Sequence, residues 1–291
     1  MATTFTNQAT LSFNGNTVQS NVAVGLIEGA LSVSKEAVAS EYTSGDTVTY
    51  IVSIVNNGDT PAQSLTVTDN LGAYSFGDGT LQPLTYEEES LQYYQNGVLQ
   101  PDPTTTTTDG LAISGINVPA SGNALLVYSA TVNEYAPLSD GSTITNTVAV
   151  TGTDVCGAAD EEVISAVNEA QLSLIKSVTP IPVAENGELT YTFQMQNTGN
   201  TAVTVEDNAT ISDTFDPILT DIRVSLNGEP LTAAEYTYDE ATGVFSTVQG
   251  ILTVPAATFT QDAATGKWTM TPGSASLSIS GKIGSVCDSS E

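Results

Sequence analysis

Polar and apolar residues alternate along most of this chain, and the alternation predicts strands. In TFTNQATLSFNG, residues 4–15, Phe5, Asn7, Ala9, Leu11 and Phe13 share one face of a strand, and Thr6, Gln8, Thr10 and Ser12 share the other. A face with one asparagine among apolar residues returns at TITNTVAVTG, 143–152, where Ile144, Asn146, Val148 and Val150 align. Between them come LSVSK (31–35), SGDTVTYIVSIVNNG (44–58), SLTVTDNLGAYSFGDG (64–79) and INVPASGNALLVYSATVNEY. Asn96-Gly97 predicts a hairpin, and the polar run PTTTTTDG (103–110) predicts an exposed loop.

The order then repeats. LSLIK (172–176), ENGELTYTFQMQNTGN (185–200), TISDTFDP (210–217), the hairpin dipeptide Asn227-Gly228 and ASLSISGKI (275–283) follow in turn. A single offset in numbering carries Lys35 to Lys176, Tyr50 to Tyr191 and Asn56 to Asn197. A period as long as a whole domain is a domain duplication rather than a solenoid. After ASLSISGKIG only SVCDSSE remains, with no match to TITNTVAVTG. The first stretch of the chain carries that pattern instead. The spacer from Asn7 to Lys35 is also nearly as long as the one from Asn146 to Lys176.

The expected architecture is therefore all-β, with two tandem β-sandwich domains. Residues 1–15 are the donor strand, 16–30 a connecting segment and 31–152 the first sandwich. Residues 153–171 are a connector, and 172–291 form a second sandwich lacking its last strand. The donor strand is expected to complete the second sandwich of a neighbouring copy, anchored by Phe5, Leu11 and Phe13.

Composition narrows the function. Of 291 residues, 33 are acidic and 5 basic, a net charge of −28, which argues against nucleic acid or an anionic membrane as partner. There is no histidine, hence no Ser-His-Asp or Cys-His pair, and no Gly-rich phosphate loop is present. No apolar run is long enough to span a membrane, so no membrane insertion is expected. MATTFTNQ has neither a basic nor an apolar leader region, so no signal peptide is expected. Tyr86-Glu87-Glu88-Glu89 reads as a solvated face, with calcium as the alternative although no loop has EF-hand spacing, and no metal or cofactor is expected. Cys156 and Cys287 are either an intersubunit disulfide or two free thiols.

LSVSKEAVASEYTSGDTVTYIVSIVNNG, LTVTDNLG and ITNTVAVTG together resemble the bacterial surface repeat called domain of unknown function 11. The second unit departs from that pattern, with NGELTY for GDTVTY and no final strand. The resemblance implies immunoglobulin-like sandwiches in a bacterial envelope or surface protein. The two-repeat chain also resembles clostridial spore-appendage proteins, which implies a filament subunit on a spore or cell surface, assembled without a signal peptide.

Three polar residues share strand parity with apolar ones: Lys35 with Leu31 and Val33, Asp69 with Leu65 and Val67, and Asn146 with Ile144 and Val148. In the second unit Lys176 and Asp213 repeat the first two, and Asn7 stands for the third. Burying such groups is costly unless they pair or neutralise. Gram-positive surface sandwiches are similar, and the similarity implies Lys–Asn isopeptide cross-links: Lys35 with Asn146 assisted by Asp69, and Lys176 with Asn7 of a neighbour assisted by Asp213. The expected function is a structural subunit, a homopolymer growing head to tail, with no enzymatic activity beyond its own cross-linking. The alternative is a cell-surface adhesin or carbohydrate-binding module.

Overall fold

A strand needs alternate residues that can be buried, and the repeated segments supply them. In Thr47–Asn56, Val48, Tyr50, Val52 and Ile54 are buried while the residues between them are partly exposed. The computed structural model describes residues 2–153 and 155–283. It is all-β, apart from one turn of 3-10 helix at Val205–Asp207, and divides into two units, the first running to Ala166 and including Ala263–Lys267, the second holding Val167–Asp262 and the residues from Trp268 on.

The first unit is a sandwich of two sheets. One runs Val98–Leu99, Gln92–Gln95, Asn123–Val132, Thr47–Asn56, Leu31–Ala37. The other runs Thr104–Thr106, Leu111–Val118, Ala62–Asp69, Thr143–Thr151, Ala158–Ala166, Glu41–Tyr42. Between them Tyr50, Ile54, Leu65, Ile113, Leu126, Val148 and Ile164 form a dry core. The expected loop 103–110 holds the exposed edge strand Thr104–Thr106, as threonine's β preference allows.

The second unit has a five-stranded sheet: Leu172–Thr179, Glu188–Asn197, Gly273–Ile283, Leu219–Leu226, Glu229–Pro230. Against its core of Phe193, Phe215, Phe245, Leu277 and Ile279 lies a smaller sheet of Ser212–Thr214, Val244–Thr247 and Tyr236–Asp239. The duplication holds at the level of register. Leu31 pairs with Asn56 and Lys35 with Val52; at the equivalent positions of the second unit, Leu172 pairs with Asn197 and Lys176 with Phe193. Asn56 and Asn197 are buried alike and tie down the same turn. Their Oδ1 atoms accept from the N–H of Gly58 and Gly199, at 3.0 Å in each case, and their amides donate to the carbonyls of Thr60 and Thr201 at 2.8 and 2.7 Å.

Asn96-Gly97 and Asn227-Gly228 form the expected hairpins, with both residues of each pair at positive φ. Two boundaries differ from the sequence reading. The segment 153–171 is not only a connector, because Ala158–Ala166 is a strand of the first sandwich and pairs with Thr143–Thr151. Its acidic run Asp160-Glu161-Glu162 hides the pattern, while Ala158, Ile164 and Ala166 are buried.

The segment 16–30 likewise is not a plain connection. Ala2–Asn7 pairs with Ala23–Glu28, and Thr10–Phe13 with Asn16–Gln19, across an Asn14-Gly15 turn at φ 47° and 82°. Residues 2–28 thus form a two-stranded ribbon. The expected continuous strand 4–15 breaks at Gln8 and Ala9, where the second strand carries an extra residue. Asn7 faces Ala23, but the next bonded pair is Ala9 with Ser20.

Candidate functional site

In the first unit the three parity-matched polar residues meet in the core. Strand Leu31–Ala37 turns Lys35 inward, Ala62–Asp69 ends on Asp69, and Thr143–Thr151 brings Asn146 alongside, since Asp69 pairs with Val148. All three are buried. Lys35 Nζ donates to Asp69 Oδ2 and lies 4.7 Å from the ring centroid of Tyr50. Two further groups hold the carboxylate. Tyr128 Oη donates to Oδ2, and the N–H of Leu71 donates to Oδ1 at 2.7 Å. Burial pushes the Lys35 amine below its ordinary pKa, against the pull of Asp69 and, more weakly, Glu162 and Asp160. Burial pushes the Tyr128 phenol well up, and the neighbouring Asp69 adds to this, so Tyr128 remains a donor.

Asn146 is held by one end only. Its Oδ1 accepts from the N–H of Gly72 at 3.2 Å, a donor shared with Asn70 Oδ1 at 3.0 Å. Its Nδ2 and the Tyr50 hydroxyl are both buried and lie close enough together for Asn146 to oppose the upward push of burial on the Tyr50 phenol, but neither makes a hydrogen bond of good geometry among the described residues. Such a group costs about 1–3 kcal/mol and demands an explanation. The Gly72 N–H polarises the amide carbonyl. Gly72 adopts φ +72°, and a Cβ there would meet Ile144 at 2.5 Å, so the donor N–H depends on glycine at this position.

The second unit builds the same pair in the open. Lys176 Nζ donates to Asp213 Oδ2 and lies 4.5 Å from the Tyr191 ring, 5.5 Å from Phe193 and 5.6 Å from Phe215. Its side chain is 40% exposed, against 0% for Lys35. Leu172 is 50% exposed where its counterpart Leu31 is 4%. The cause is topological. Asp69 pairs on both sides, with Leu111 and Val148; Asp213 pairs only with Phe245, so Ser212–Thr214 is an open edge among the described residues. The acid is also held differently. The position facing Tyr50 is Tyr128, but the one facing Tyr191 is Ile279, so Asp213 lacks the phenol and accepts at Oδ1 only from Thr214 N–H, at 3.0 Å.

The third member expected for that site, Asn7, sits on the ribbon opposite Ala23. The expected anchors Phe5, Leu11 and Phe13 are each half-exposed or more. Cys156 is a free, half-buried thiol in the turn between Thr143–Thr151 and Ala158–Ala166, and Cys287 lies outside the described residues. Among the described residues no cluster of metal-ligating side chains occurs, and no helix is long and apolar enough to cross a membrane. Sequence reasoning missed Tyr128 and Gly72. Tyr128 reads as one more core aromatic in ALLVYSATV, and only its mismatch with Ile279 sets it apart.

No family model and no curated protein matches the chain. Among solved structures it is similar to BcpA, the major pilin subunit of Bacillus cereus, at 10% identity and a TM-score of 0.36 over 94% of this chain and 73% of that one. The pilus backbone RrgB of Streptococcus pneumoniae aligns at 11% identity and a TM-score of 0.32 over 83% of this chain; the chain spans about half of RrgB, 55%. ACE19, the collagen-binding subdomain of an Enterococcus faecalis surface protein, aligns at 11% and 0.29 over 47% of this chain and 96% of that one. These likenesses are weak, and the reading of the site rests on the chain's own strands and side chains.

Proposed function

We propose that the protein is a self-assembling structural subunit of a surface filament or spore appendage, growing head to tail by strand donation and locked by Lys–Asn isopeptide bonds. One observation carries the reading. The Lys–Asp pair is built twice in matching register, enclosed in the first unit and open in the second, and the segment that closes it in the first recurs as residues 2–28.

The chemistry is the same at both sites. The lysine amine in its neutral form attacks Cγ of the asparagine; in the first unit the Gly72 N–H polarises the carbonyl oxygen, a position held by Asp216 in the second. The new Cγ–Nζ bond forms, the Cγ–Nδ2 bond breaks, and one proton passes from Nζ to Nδ2 through the aspartate, releasing ammonia. In the first unit Lys35 joins Asn146 with Asp69 as the shuttle. In the second Lys176 joins Asn7 of the next copy with Asp213 in that role. By the register of the first unit, Ala9, Thr10 and Leu11 of the donor pair with Asp213, Ser212 and Ile211. Donation covers the open edge and buries Leu172, Leu174, Phe5 and Leu11, at about 1 kcal/mol for each half-exposed side chain. The contact is heterologous, so it propagates as a fibre.

Deleting residues 1–15 should give monomers with a destabilised second unit. Asn7→Ala should still assemble, into fibres that dissociate in hot detergent. Fibres from the truncated protein, or Asn7→Ala fibres that survive boiling as the wild type does, would refute the mechanism.

A further inference from the structure

Residues 4–7 and 23–26 of the ribbon match the strand pair Thr143–Thr151 and Ala158–Ala166 in pairing as well as in pattern; past the extra residue in the second strand, the pairs of Thr10–Phe13 run one position out of that register. Adding 139 to each residue number converts Thr4↔Leu26, Phe5↔Gly25, Thr6↔Val24 and Asn7↔Ala23 into Thr143↔Ser165, Ile144↔Ile164, Thr145↔Val163 and Asn146↔Glu162. The faces correspond as well. Ile144 and Ile164 are both buried in the core; at their positions the ribbon has Phe5 lying over Gly25, where a Cβ would come within 2.3 Å of the ring. Two medium side chains are replaced by one large and one absent, which keeps the shape of that face. On the opposite face, Thr145 and Val163 are exposed in the first unit, as Thr6 and Val24 are on the ribbon.

The acceptor needs two strands rather than one. In the first unit Thr143–Thr151 covers the edge at Asp69, while Ala158–Ala166 runs beside Leu31–Ala37, where the Lys35 N–H donates to Asp160 Oδ2 at 2.8 Å. In the second unit both the edge Ser212–Thr214 and the flank of Leu172–Thr179 are open among the described residues.

We infer that the ribbon is donated whole. Both of its strands enter the second sandwich of another copy of this chain: the first sets Ala9, Thr10 and Leu11 along the edge Asp213, Ser212 and Ile211 and carries Ala2–Asn7 on past it, and Ala23–Glu28 runs along Leu172–Thr179. The ribbon is then a prefolded donor that does not open to react. This rests on the strand-donation reading above and adds to it the second strand and its register.

A disulfide lock separates the two ideas. In a Cys156→Ser, Cys287→Ser background, Thr6→Cys with Val24→Cys places thiols on directly opposed residues, whose spacing of roughly 4.5–5.5 Å suits a disulfide. The lock lies on the face away from the sandwich. The oxidised protein should assemble as fast as the same protein after reduction, and peptide mapping should still find Lys176 joined to Asn7. If locking slows assembly by roughly tenfold or more, about 1.4 kcal/mol, and reduction restores it, the first strand must leave the second; whole-ribbon donation is then wrong and single-strand donation survives. A second lock, Thr4→Cys with Leu26→Cys, gives an independent oxidised-to-reduced ratio should the first pair impair folding. Unimpaired fibres from protein lacking residues 1–28 would overturn both readings.

Discussion

Replacing Asn146 by alanine removes the acceptor of the proposed internal bond and leaves Lys35, Asp69 and Tyr128 in place, so it isolates the covalent link from the buried charge pair. The link closes the loop that runs from Lys35 to Asn146. Chain entropy over a loop of roughly 110 residues gives about 5 kcal/mol at room temperature. The variant also loses the bond from the Gly72 N–H, worth about 1 kcal/mol. Each kcal/mol moves the melting temperature by roughly 2–4 °C in units of this size, so the first unit should melt roughly 15 °C lower. Calorimetry on unassembled protein reads the shift. Intact mass reads the bond itself, about 17 Da lost for each ammonia expelled. Full wild-type mass in folded protein, or an Asn146→Ala transition within a few degrees of the wild type, would refute the internal bond.

Other consequences are open to measurement. Tyr128→Phe keeps the fold but removes a hydrogen bond to a charged group, worth about 1.5–3 kcal/mol, and should slow loss of the ammonia mass as newly synthesised, unreacted chains first fold; an unchanged rate would exclude Tyr128 from positioning Asp69. In Asn146→Ala the Lys35 amine stays free, with a pKa lowered by burial in the folded state and an ordinary value of 10.5 when unfolded. Between those values only the unfolded chain holds the proton, so stability to urea should rise with pH across that window; a flat profile would mean that buried Lys35 keeps its proton. The cross-linked wild type has no such amine and should lack the rise. Each copy carries −28, so assembly should accelerate as salt shortens the screening length; a rate that falls with salt would contradict an interface that forms against repulsion. Gly72→Ala should destabilise the first unit and slow its bond formation together, because the clash with Ile144 displaces the N–H that polarises Asn146.

Much of this was legible in the strand pattern. Parity alone turned Lys35, Asp69 and Asn146 inward, and the structure buries all three. The constant offset between the two units reappears as identical pairing in both. What stayed hidden was hidden for physical reasons. Along its acidic run Ala158–Ala166 has only Thr143–Thr151 beside it in its sheet, since Glu41–Tyr42 pairs only with Ser165 and Ala166, so it tolerates three consecutive acids that break the apolar signal. The ribbon is masked in the sequence because its turn dipeptide Asn14-Gly15 lies within the polar run NGNTVQ and its second strand carries an extra residue that breaks the alternation. Tyr128 could not be told from packing residues by type, since its role comes from a partner 59 residues away in sequence.

The position of the Lys35–Asn146 pair has a mechanical consequence. Lys35 lies on the strand by which the chain enters the first sandwich, and Asn146 lies on the penultimate strand before the chain leaves it. A bond between them carries tension straight across the sandwich and leaves residues 36–145 outside the path. Those residues hold roughly 370 Å of contour length at about 3.4 Å each, and a pull along the filament could not draw it out. A fibre of such subunits would meet shear as a nearly inextensible cord, even if heat or denaturant had already melted the strands around the bond.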